Sequence, residues 1–362
     1  MSEQKILFIK LSSLGDVIHS LPAIAEMRKH NPNNQICFAT EENYADLLTN
    51  CSTVDKIFSI PLRRLRKKSA YFFWRDEQWK IIRNQLRAEK FDIAIDGQGL
   101  LKSAFVLKNA GVSNTFGFNR NTVREKAAAL FYRNQIAVDK NMHAVERIRT
   151  LAALSFGYEI SNNNNLPIIF SDELNKKEEI IFPELDYSLP KWEKNNSRDI
   201  YFFHGTTWVS KMLPVTVWED LARIAIAENY VVNLIWGNSH EKLFCDFLSK
   251  RVGAGIKVAD KILDFSEIII RLKNSLGVIG VDTGLMHLAA AMEMPSLGLY
   301  GATNAALTGL YGKRALNLQA RNPCMQKDCS KHTAVEANSC MSEAYKSRAL
   351  EIWENFISLQ QK

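Results

Sequence analysis

Long apolar runs are missing from this sequence, which limits the places where the protein can reside. The apolar run Ile6–Ile9 near the N-terminus spans four residues and is followed by Lys10, so it is too short for a signal peptide. A transmembrane helix needs about 18 or more mostly apolar residues in succession, and no segment reaches that length. We therefore expect a cytoplasmic protein that at most lies on a membrane surface.

Common nucleotide- and metal-binding signatures are missing as well. The chain has no Walker A loop and no Asp-x-Asp pair of the kind that holds a divalent metal beside a sugar nucleotide. The stretch Asp96–Ser103 has glycines spaced like a dinucleotide fingerprint, but Lys102 stands where the third glycine is required, and the stretch lies far from the first βα turn. Any phosphate that binds must therefore be neutralised by groups of the protein itself.

Cysteine is scarce, with six residues in the chain. Cys37, Cys51 and Cys245 are scattered among apolar segments, which is typical of reduced thiols and not of a disulfide framework. The other three lie near the C-terminus beside a histidine: Cys324, Cys329, His332 and Cys340. This group could form a structural zinc or iron site, although its gaps of four and ten residues depart from the usual paired spacing. Unliganded thiols are the alternative.

The composition is that of a folded protein with excess positive charge. Hydrophobic residues make up 46% and charged residues 23% of the 362 residues, which is ordinary for globular domains. This length suggests two domains. The net charge of +7 favours an acidic partner such as a nucleotide, a phosphorylated lipid, an anionic membrane or nucleic acid, without choosing among them.

Strand-like apolar segments alternate with helical segments through both halves of the chain, as in parallel sheets built from βαβ units. Between the halves, Ser161–Asp199 is rich in Asn, Lys, Glu and Pro and loses this periodicity. The pattern predicts an α/β protein with two doubly wound domains, whose ligands lie at the carboxyl ends of strands. The predicted divisions are a first domain at 1–180, a linker at 181–198, a second domain at 199–342, and a terminal helix at 343–362 that could pack back on the first domain.

The stretch Gly280–Met292 joins a buried strand to a helix through Asp282, Thr283 and Gly284. The N-terminus of a helix attracts phosphate, and Gly284 would let the backbone approach a ligand closely. His287, in the first turn, could donate to an anionic or sugar oxygen. The alternative is a simple N-cap followed by a core helix.

The turn after the first strand, within KLSSLGDVIHSLPA, places Ser12, Ser13, Gly15 and Asp16 at the end of that strand. Asp16 could accept a proton from an attacking hydroxyl, as a general base does. A helix N-cap is the equally reasonable alternative.

A basic run within IPLRRLRKK is followed by four aromatic residues. The guanidinium group of arginine can bind a phosphate or a carboxylate through two hydrogen bonds, and neighbouring aromatic residues suit a membrane interface. Nucleic acid is a competing partner, and a solvated loop is the plain alternative. The charged residues are Arg63, Arg64, Arg66, Lys67 and Lys68.

Two loops after strands of the second half carry further polar groups. HGTTWVSK offers Thr206, Thr207 and Lys211, and WGNSHE offers Glu241. Each signal is weak alone, but together with Asp282 they bring hydroxyls, a cation and carboxylates to the ends of neighbouring strands.

These motifs together resemble the bacterial lipopolysaccharide heptosyltransferases of glycosyltransferase family 9, over nearly the whole chain. The resemblance lies in KLSSLGDVIHSLPA, IPLRRLRK, DGQGLLKSA, MHAVER, the two loops just described, and VDTGLMHLAAA followed by YGATN. It implies a GT-B fold, with two Rossmann-like domains facing an interdomain cleft. It also implies inverting, metal-independent transfer of L-glycero-D-manno-heptose from ADP-heptose to the Kdo of lipid A, in a protein peripheral on the inner membrane that needs no cofactor and binds no nucleic acid.

The resemblance also assigns roles by position. Asp16 would be the general base on the Kdo hydroxyl, with Ser12 and Ser13 beside the acceptor. The acidic head of the acceptor would be bound by Arg63, Arg64, Arg66, Lys67 and Arg124. Lys211 and the helix end at Thr283 and Gly284 would hold the diphosphate, and Glu241 a nucleoside hydroxyl. The remaining donor-binding residues would be Thr206, Thr207, Asp282 and His287.

Two donor-side loops depart from the family pattern. Family members usually carry Arg and Asp before the lysine and Trp-Pro after it, whereas Lys211 lies between WVS and MLP, and a YGPTDP-like stretch reads YGATNA here. The cysteine stretch resembles that of members that add the second heptose. Transfer of the second heptose or transfer to a protein therefore stays an alternative, and a non-catalytic nucleotide- or nucleic-acid-binding protein is a remote one.

Overall fold

The computed structural model describes residues 3–62, 76–160, 168–170, 185–320 and 339–361. The chain divides into two compact units, which are described separately. The first comprises Met1–Asn162 with Asp186–Leu189, and the second comprises Asn163–Leu185 with Pro190–Lys362.

The first unit is a parallel sheet of six strands in the order β3-β2-β1-β4-β5-β6. Its strands are β1 (Lys5–Ile9), β2 (Gln35–Glu41), β3 (Lys56–Ile60), β4 (Ile93–Asp96), β5 (Thr115–Phe118) and β6 (Asn134–Ile136). Its described helices are α1 (Leu14–Ile18), α2 (Leu21–His30), α3 (Ala45–Thr49), α4 (Glu77–Ala88), α5 (Leu101–Ala110) and α6 (Ala144–Phe156), with 3₁₀ turns at Glu42–Tyr44 and Lys126–Phe131.

The strand order of the first unit reverses direction between β1 and β4. Residues Ile6–Ile9 of β1 are fully buried, because a central parallel strand is covered by helices on both faces. In register, Leu7 lies beside Cys37 of β2 and Ala94 of β4. Ligands of doubly wound sheets bind where the order reverses, and the turns that follow β1 and β4 lie at that position.

The second unit repeats this order in a parallel sheet arranged β10-β9-β8-β11-β12-β13-β7. Its strands are β7 (Ile168–Phe170), β8 (Asp199–Phe203), β9 (Val231–Leu234), β10 (Ile256–Val258), β11 (Gly277–Val281), β12 (Ser296–Tyr300) and β13 (Ala315–Gln319). Its described helices are α7 (Val215–Ala227), α8 (Ser239–Val252), α9 (Phe265–Lys273), α10 (Gly284–Ala291), α11 (Ala305–Thr308), α12 (Ser339–Tyr345) and α13 (Ala349–Gln360), with a 3₁₀ turn at Val209–Lys211. The α/β class and the two doubly wound sheets predicted from the sequence are confirmed.

The division of the chain differs from the one drawn on the sequence. The strand Ile168–Phe170, expected within the first domain, pairs in parallel with β13 at the edge of the second sheet. Conversely, Asp186–Leu189, expected in the linker, belongs to the first unit, where the N–H of Ser52 donates to the carbonyl of Ser188 at 2.9 Å. A strand of three residues gives too short a pattern to be recognised beside polar sequence.

The terminal helix α13 contributes to the core of the second unit. Trp353 and Phe356 are buried in the same cluster as Trp218 of α7. The burial of each such aromatic side chain contributes about 2–3 kcal/mol, so this helix stabilises the second unit.

No helix in the described part of the chain is long and apolar enough to cross a membrane.

Candidate active site

In the first unit, Asp16 lies in the first turn of α1, shortly after β1. Ser13 is the N-cap of α1; its backbone N–H donates to Asp16 Oδ2 at 2.8 Å, and its hydroxyl donates to the same oxygen at 3.2 Å. Nζ of Lys10 lies 3.5 Å from Asp16 Oδ1. The Asp16 side chain is still 32% exposed, so a substrate hydroxyl can reach it.

The surrounding charges keep Asp16 ionised. Burial opposes ionisation, but the cation of Lys10, the N–H of Ser13 and the charge of Arg124 hold the pKa of Asp16 below its ordinary value. Lys10 is itself buried and donates to the carbonyl of Gly97 at 2.9 Å. Asp16 is therefore available as a proton acceptor at neutral pH.

The stretch Asp96–Ser103, with its incomplete glycine pattern, holds the same turn in place. Oε1 of Gln98 accepts hydrogen bonds from two successive backbone N–H groups, those of Leu11 at 3.0 Å and Ser12 at 3.1 Å. The fully buried Asp96 accepts in turn from the backbone N–H of Gln98 at 2.8 Å. These bonds fix the backbone immediately before the N-cap of α1.

Ser12, in the same turn, is partly buried. Its hydroxyl accepts a hydrogen bond from Lys102, whose ammonium also lies 3.2 Å from Oε1 of Glu41. Lys102, which stands where a dinucleotide fingerprint has its third glycine, is therefore hydrogen-bonded to the turn that contains Ser12.

A pocket of about 300 Å³ opens beside Asp16. Four cationic side chains line it, namely Lys10, Arg124, Lys140 and Arg147. Lys10 forms an ion pair with Asp16, whereas no ion pair joins the other three to another described residue. Such an excess of positive charge in one concave site suits an anionic ligand.

In the second unit, Asp282 follows β11 and contacts side chains from the loops after β8 and β12 and from α10. Its Oδ2 accepts from Nζ of Lys211 at 2.7 Å and from the hydroxyl of Thr303 at 2.8 Å. Its backbone carbonyl accepts from the hydroxyl of Thr206 at 3.1 Å. Nε2 of His287 lies 3.4 Å from Oδ1.

These contacts keep Asp282 ionised at neutral pH. Burial opposes its ionisation, but the hydrogen bond to His287 and the charge of Lys211 hold the pKa of Asp282 far below its ordinary value. Lys211 also lies over the ring of Trp208, with 4.7 Å between Nζ and the ring centroid, a cation–π contact that the sequence did not suggest.

The helix α10 begins directly after Asp282. Thr283 is the N-cap, with extended backbone, and its hydroxyl makes no capping hydrogen bond. Gly284 is the first helical residue and is only half-buried, whereas His287 is buried. The N-terminal end of this helix therefore lies beside Lys211, a combination that suits a phosphate group.

Glu241 reaches the same region from the first turn of α8, the helix that follows β9. Its Oε2 accepts from the backbone N–H of Gly237 at 2.7 Å. Its carboxylate packs so closely on Gly205 that a Cβ atom at position 205 would lie 2.7 Å from Cδ of Glu241. Glycine at 205 thus allows the carboxylate to lie next to the loop that carries Thr206.

Several predicted residues do not join these clusters. Thr207 is exposed and contributes none of the hydrogen bonds to Asp282. The basic run at Arg63, Arg64, Arg66 and Lys67 lies outside the described residues, as do Cys324, Cys329 and His332 and the side chain of Cys340. Among the described residues, no group of three or more His, Cys, Asp or Glu side chains could hold a metal ion.

Comparison with known proteins agrees with this arrangement. Residues 79–337 match the model of glycosyltransferase family 9 (heptosyltransferase). The chain belongs to glycosyltransferase family 9. This glycosyltransferase is 33% identical over 331 residues to lipopolysaccharide heptosyltransferase 1 of Pseudomonas aeruginosa, a match that covers 90% of this chain and 87% of that protein.

Solved structures of the same family are similar over nearly the full length. The E. coli heptosyltransferase WaaC with ADP has a TM-score of 0.75 and 28% identity, over 94% of this chain and 99% of that one. The same enzyme with ADP-2-deoxy-2-fluoro heptose has a TM-score of 0.72 and 29% identity, over 86% and 92%. This family 9 enzyme therefore has the Rossmann-like units of the GT-B class and is a heptosyltransferase of lipopolysaccharide biosynthesis.

Proposed function

We propose that this enzyme transfers L-glycero-D-manno-heptose from ADP-heptose to the Kdo of lipid A, with inversion at the anomeric carbon and without a metal ion. The observation that carries the proposal is the ionised, partly exposed Asp16 carboxylate beside a cation-lined pocket. A carboxylate in that setting suits removal of a proton from a hydroxyl of an acidic acceptor.

The second unit supplies the donor side in this proposal. Lys211 and the N-terminal end of α10 would bind the diphosphate, whose negative charge increases as the bond to the sugar breaks. Asp282 holds Lys211 at 2.7 Å and would present it to the diphosphate, while Glu241 and Thr206 would contact the nucleoside or sugar. The relative with bound ADP-2-deoxy-2-fluoro heptose supports an ADP-linked donor.

The same residues account for the metal-independent part of the proposal. Leaving diphosphates need fixed positive charge, which a divalent metal supplies in many glycosyltransferases. Here an ammonium group and a helix N-terminus converge beside Asp282 and would fulfil that role.

The acceptor side lies in the first unit. Asp16 would accept the proton of the attacking hydroxyl, and attack from the face opposite the diphosphate inverts the anomeric centre. Arg124, Ser12 and Ser13 would contact the acceptor, together with the basic run Arg63–Lys67. The acceptor is part of a lipid, so we place the reaction at the cytoplasmic face of the inner membrane.

The decisive experiment is an assay with purified enzyme, ADP-heptose and Kdo-lipid A in the presence of EDTA. We expect release of ADP and a product whose anomeric configuration, determined by NMR, is opposite to that of the donor. Absence of transfer, dependence on a divalent metal, or retained configuration would each contradict a part of the proposal.

The second-heptose alternative can be separated in the same assay. An acceptor that already carries one heptose should be a poor substrate if the enzyme adds the first. A preference for the heptosylated acceptor, or for a protein, would replace the proposed acceptor while leaving the heptosyltransferase activity intact.

A further inference from the structure

Trp208 lies in the loop after β8, three residues before Lys211. The backbone N–H of Lys211 donates to the carbonyl of Trp208 at 3.0 Å, which closes the 3₁₀ turn Val209–Lys211. This short turn brings the lysine side chain over the indole, with 4.7 Å between Nζ and the ring centroid. The contact is therefore set by the local backbone of a single loop.

Exposure distinguishes Trp208 from the core tryptophans of the same unit. Trp218 and Trp353 are buried in the hydrophobic core, whereas Trp208 is 47% exposed. A large ring at the surface gains little from the removal of apolar area from water. The ring instead contacts the ammonium of Lys211, a group that is attracted to the negative face of an aromatic ring. The lysine therefore explains the position of this indole better than the core does.

The loop that carries Trp208 holds Lys211 without a charged residue of its own. Residues 205–210 contain no acidic or basic side chain, whereas members of the family usually carry Arg and Asp before this lysine. A carboxylate in the loop would partly neutralise the ammonium. The indole has no net charge, so it attracts the cation and leaves its positive charge available to an anionic ligand.

Lys211 also keeps hydrogen-bond donors for a ligand. An ammonium group has three N–H donors, and Oδ2 of Asp282 accepts from one of them at 2.7 Å. No other hydrogen-bond acceptor for Nζ is found among the described residues. The carboxylate and the indole thus restrict the position of Nζ and leave it able to donate to a phosphate.

We propose that Trp208 is a positioning residue, whose ring holds the ammonium of Lys211 in place for the diphosphate before the donor binds. This inference rests on the proposed function, which assigns the diphosphate to Lys211. A lysine side chain has a long flexible stem, and ordering it during binding lowers the affinity for the ligand. A ring that orders Lys211 in the ligand-free enzyme reduces this loss, so Trp208 should strengthen diphosphate binding without contacting the nucleotide.

The test is a double-mutant cycle in which the Kd for ADP is measured by calorimetry. Trp208→Leu, Lys211→Ala and the double variant are compared with the wild type. Trp208→Leu should raise the Kd about 3- to 10-fold, as expected for the loss of a cation–π contact at a partly exposed site. In the Lys211→Ala background the same substitution should change the Kd by less than about 2-fold, because the group that the ring positions is absent.

Two results of this cycle would overturn the proposal. One is an unchanged Kd for ADP in Trp208→Leu. The other is an effect of Trp208→Leu that persists in full in the Lys211→Ala background, because the indole would then act on the nucleotide directly. Adenosine, which has no phosphate, makes the same distinction. Its Kd should be equal for Trp208→Leu and the wild type, and weaker binding to the variant would mean that the ring stacks on the nucleoside.

Phe247→Leu is the matched control. Phe247 is 49% exposed and has Arg251 over its ring, with 5.6 Å between Cζ and the ring centroid, but it lies in α8 and outside the donor-side loops. This variant should leave the Kd for ADP unchanged. Trp208→Phe keeps an aromatic face and should retain most of the affinity, which excludes misfolding as the cause of the loss in Trp208→Leu. A loss in Trp208→Phe as large as that in Trp208→Leu would contradict a role for the ring face.

The Lys211→Ala variant separates failure of this inference from failure of the proposed function. If it weakens ADP binding and Trp208→Leu does not, only the positioning role of Trp208 is wrong. If Lys211→Ala leaves the Kd for ADP unchanged, the lysine does not bind the diphosphate, and the donor side of the proposed function fails together with the positioning role.

Discussion

The two units each place an aspartate where a central strand passes into a helix, and they use it differently. Asp16 lies in the first turn of α1, after β1, whereas Asp282 lies between β11 and the N-cap of α10. Asp16 has one lysine at 3.5 Å and is 32% exposed, whereas Asp282 is 9% exposed and has Lys211 at 2.7 Å together with Thr303 and His287. The first can still accept a proton from a ligand, and the second is occupied in holding its neighbours.

In the proposed function, Asp16 acts as a base and Asp282 holds its neighbours in place. Both carboxylates have lowered pKa values, so ionisation alone does not distinguish these two proposed roles. The two carboxylates differ in how much of their oxygen surface stays exposed to a ligand and in the charged side chains that surround them. Four variants test this contrast.

The largest effect is expected for Asp16→Ala. If Asp16 is the general base, kcat should fall by roughly 10² or more, because proton transfer contributes that much. The affinity for the donor, measured by calorimetry with ADP, should change little. An equal loss of ADP affinity would instead make Asp16 a binding or structural residue, and the contrast with Asp282 would disappear.

Lys211→Ala should affect the opposite side of the reaction. Loss of an ammonium group that binds diphosphate is expected to raise the Kd for ADP by about 10- to 100-fold, without a change in the KM for the acceptor. Lys250→Ala, an exposed lysine at the far end of α8, serves as the control and should leave the Kd unchanged. Unaltered ADP binding in Lys211→Ala would remove this lysine from the donor site.

Gly205→Ala tests the position of Glu241. The added Cβ would lie 2.7 Å from Cδ of Glu241, so the carboxylate must move away from the loop that carries Thr206. We therefore expect weaker binding of ADP, measured by calorimetry. Gly237→Ala is the matched control, because its Cβ would lie 3.5 Å from the same carboxylate, an ordinary contact. Equal affinity of the two variants for ADP would show that the position of this carboxylate beside Gly205 is not needed.

The smallest effect is expected for Asp282→Asn, in the dependence of the free energy of unfolding on acidic pH. Because the pKa of Asp282 is lowered on folding, its contribution to stability is complete above the unfolded pKa of about 4 and is lost as the pH falls below it. The difference in free energy of unfolding between wild type and Asp282→Asn should therefore be constant from pH 7 to about pH 5. Below about pH 4 it should shrink by about 1.4 kcal/mol for each pH unit.

Urea unfolding at several pH values measures this difference. Asp246→Asn removes a carboxylate from the more exposed pair with Lys242 and should show little pH-dependent difference. A difference for Asp282→Asn that stays constant down to pH 3 would mean that its carboxylate is not specially stabilised in the folded protein.

The alternation of apolar segments was sufficient to predict both sheets, because buried parallel strands leave a strong local pattern. The same logic predicted that Thr206, Lys211 and Asp282 would meet, since carboxyl ends of neighbouring strands share one edge. Thr303 follows β12 and could have been added on that basis.

Other features leave a weaker local signal. Arg147 ends the MHAVER stretch that carries part of the family resemblance, but its place at the pocket depends on the rotational position of α6 and on the ring of Phe118, and neither can be derived from the spacing of residues. The part played by Gln98 was hidden because its glycine-rich surroundings suggested a cofactor loop, whereas its side chain binds the backbone of a turn 86 residues away.

The path of the chain through Ile168–Phe170 and Asp186–Leu189 has a practical consequence for dissecting the protein. A single cut near residue 180 would leave the N-terminal fragment with a strand that belongs to the other sheet, and without the four residues that complete its own unit. The C-terminal fragment would in turn expose the edge of β13, and open edges of this kind promote association between chains. The two units of this enzyme are therefore interleaved in sequence. To isolate either unit, each of its two chain segments must be kept and the two must be joined by a new linker.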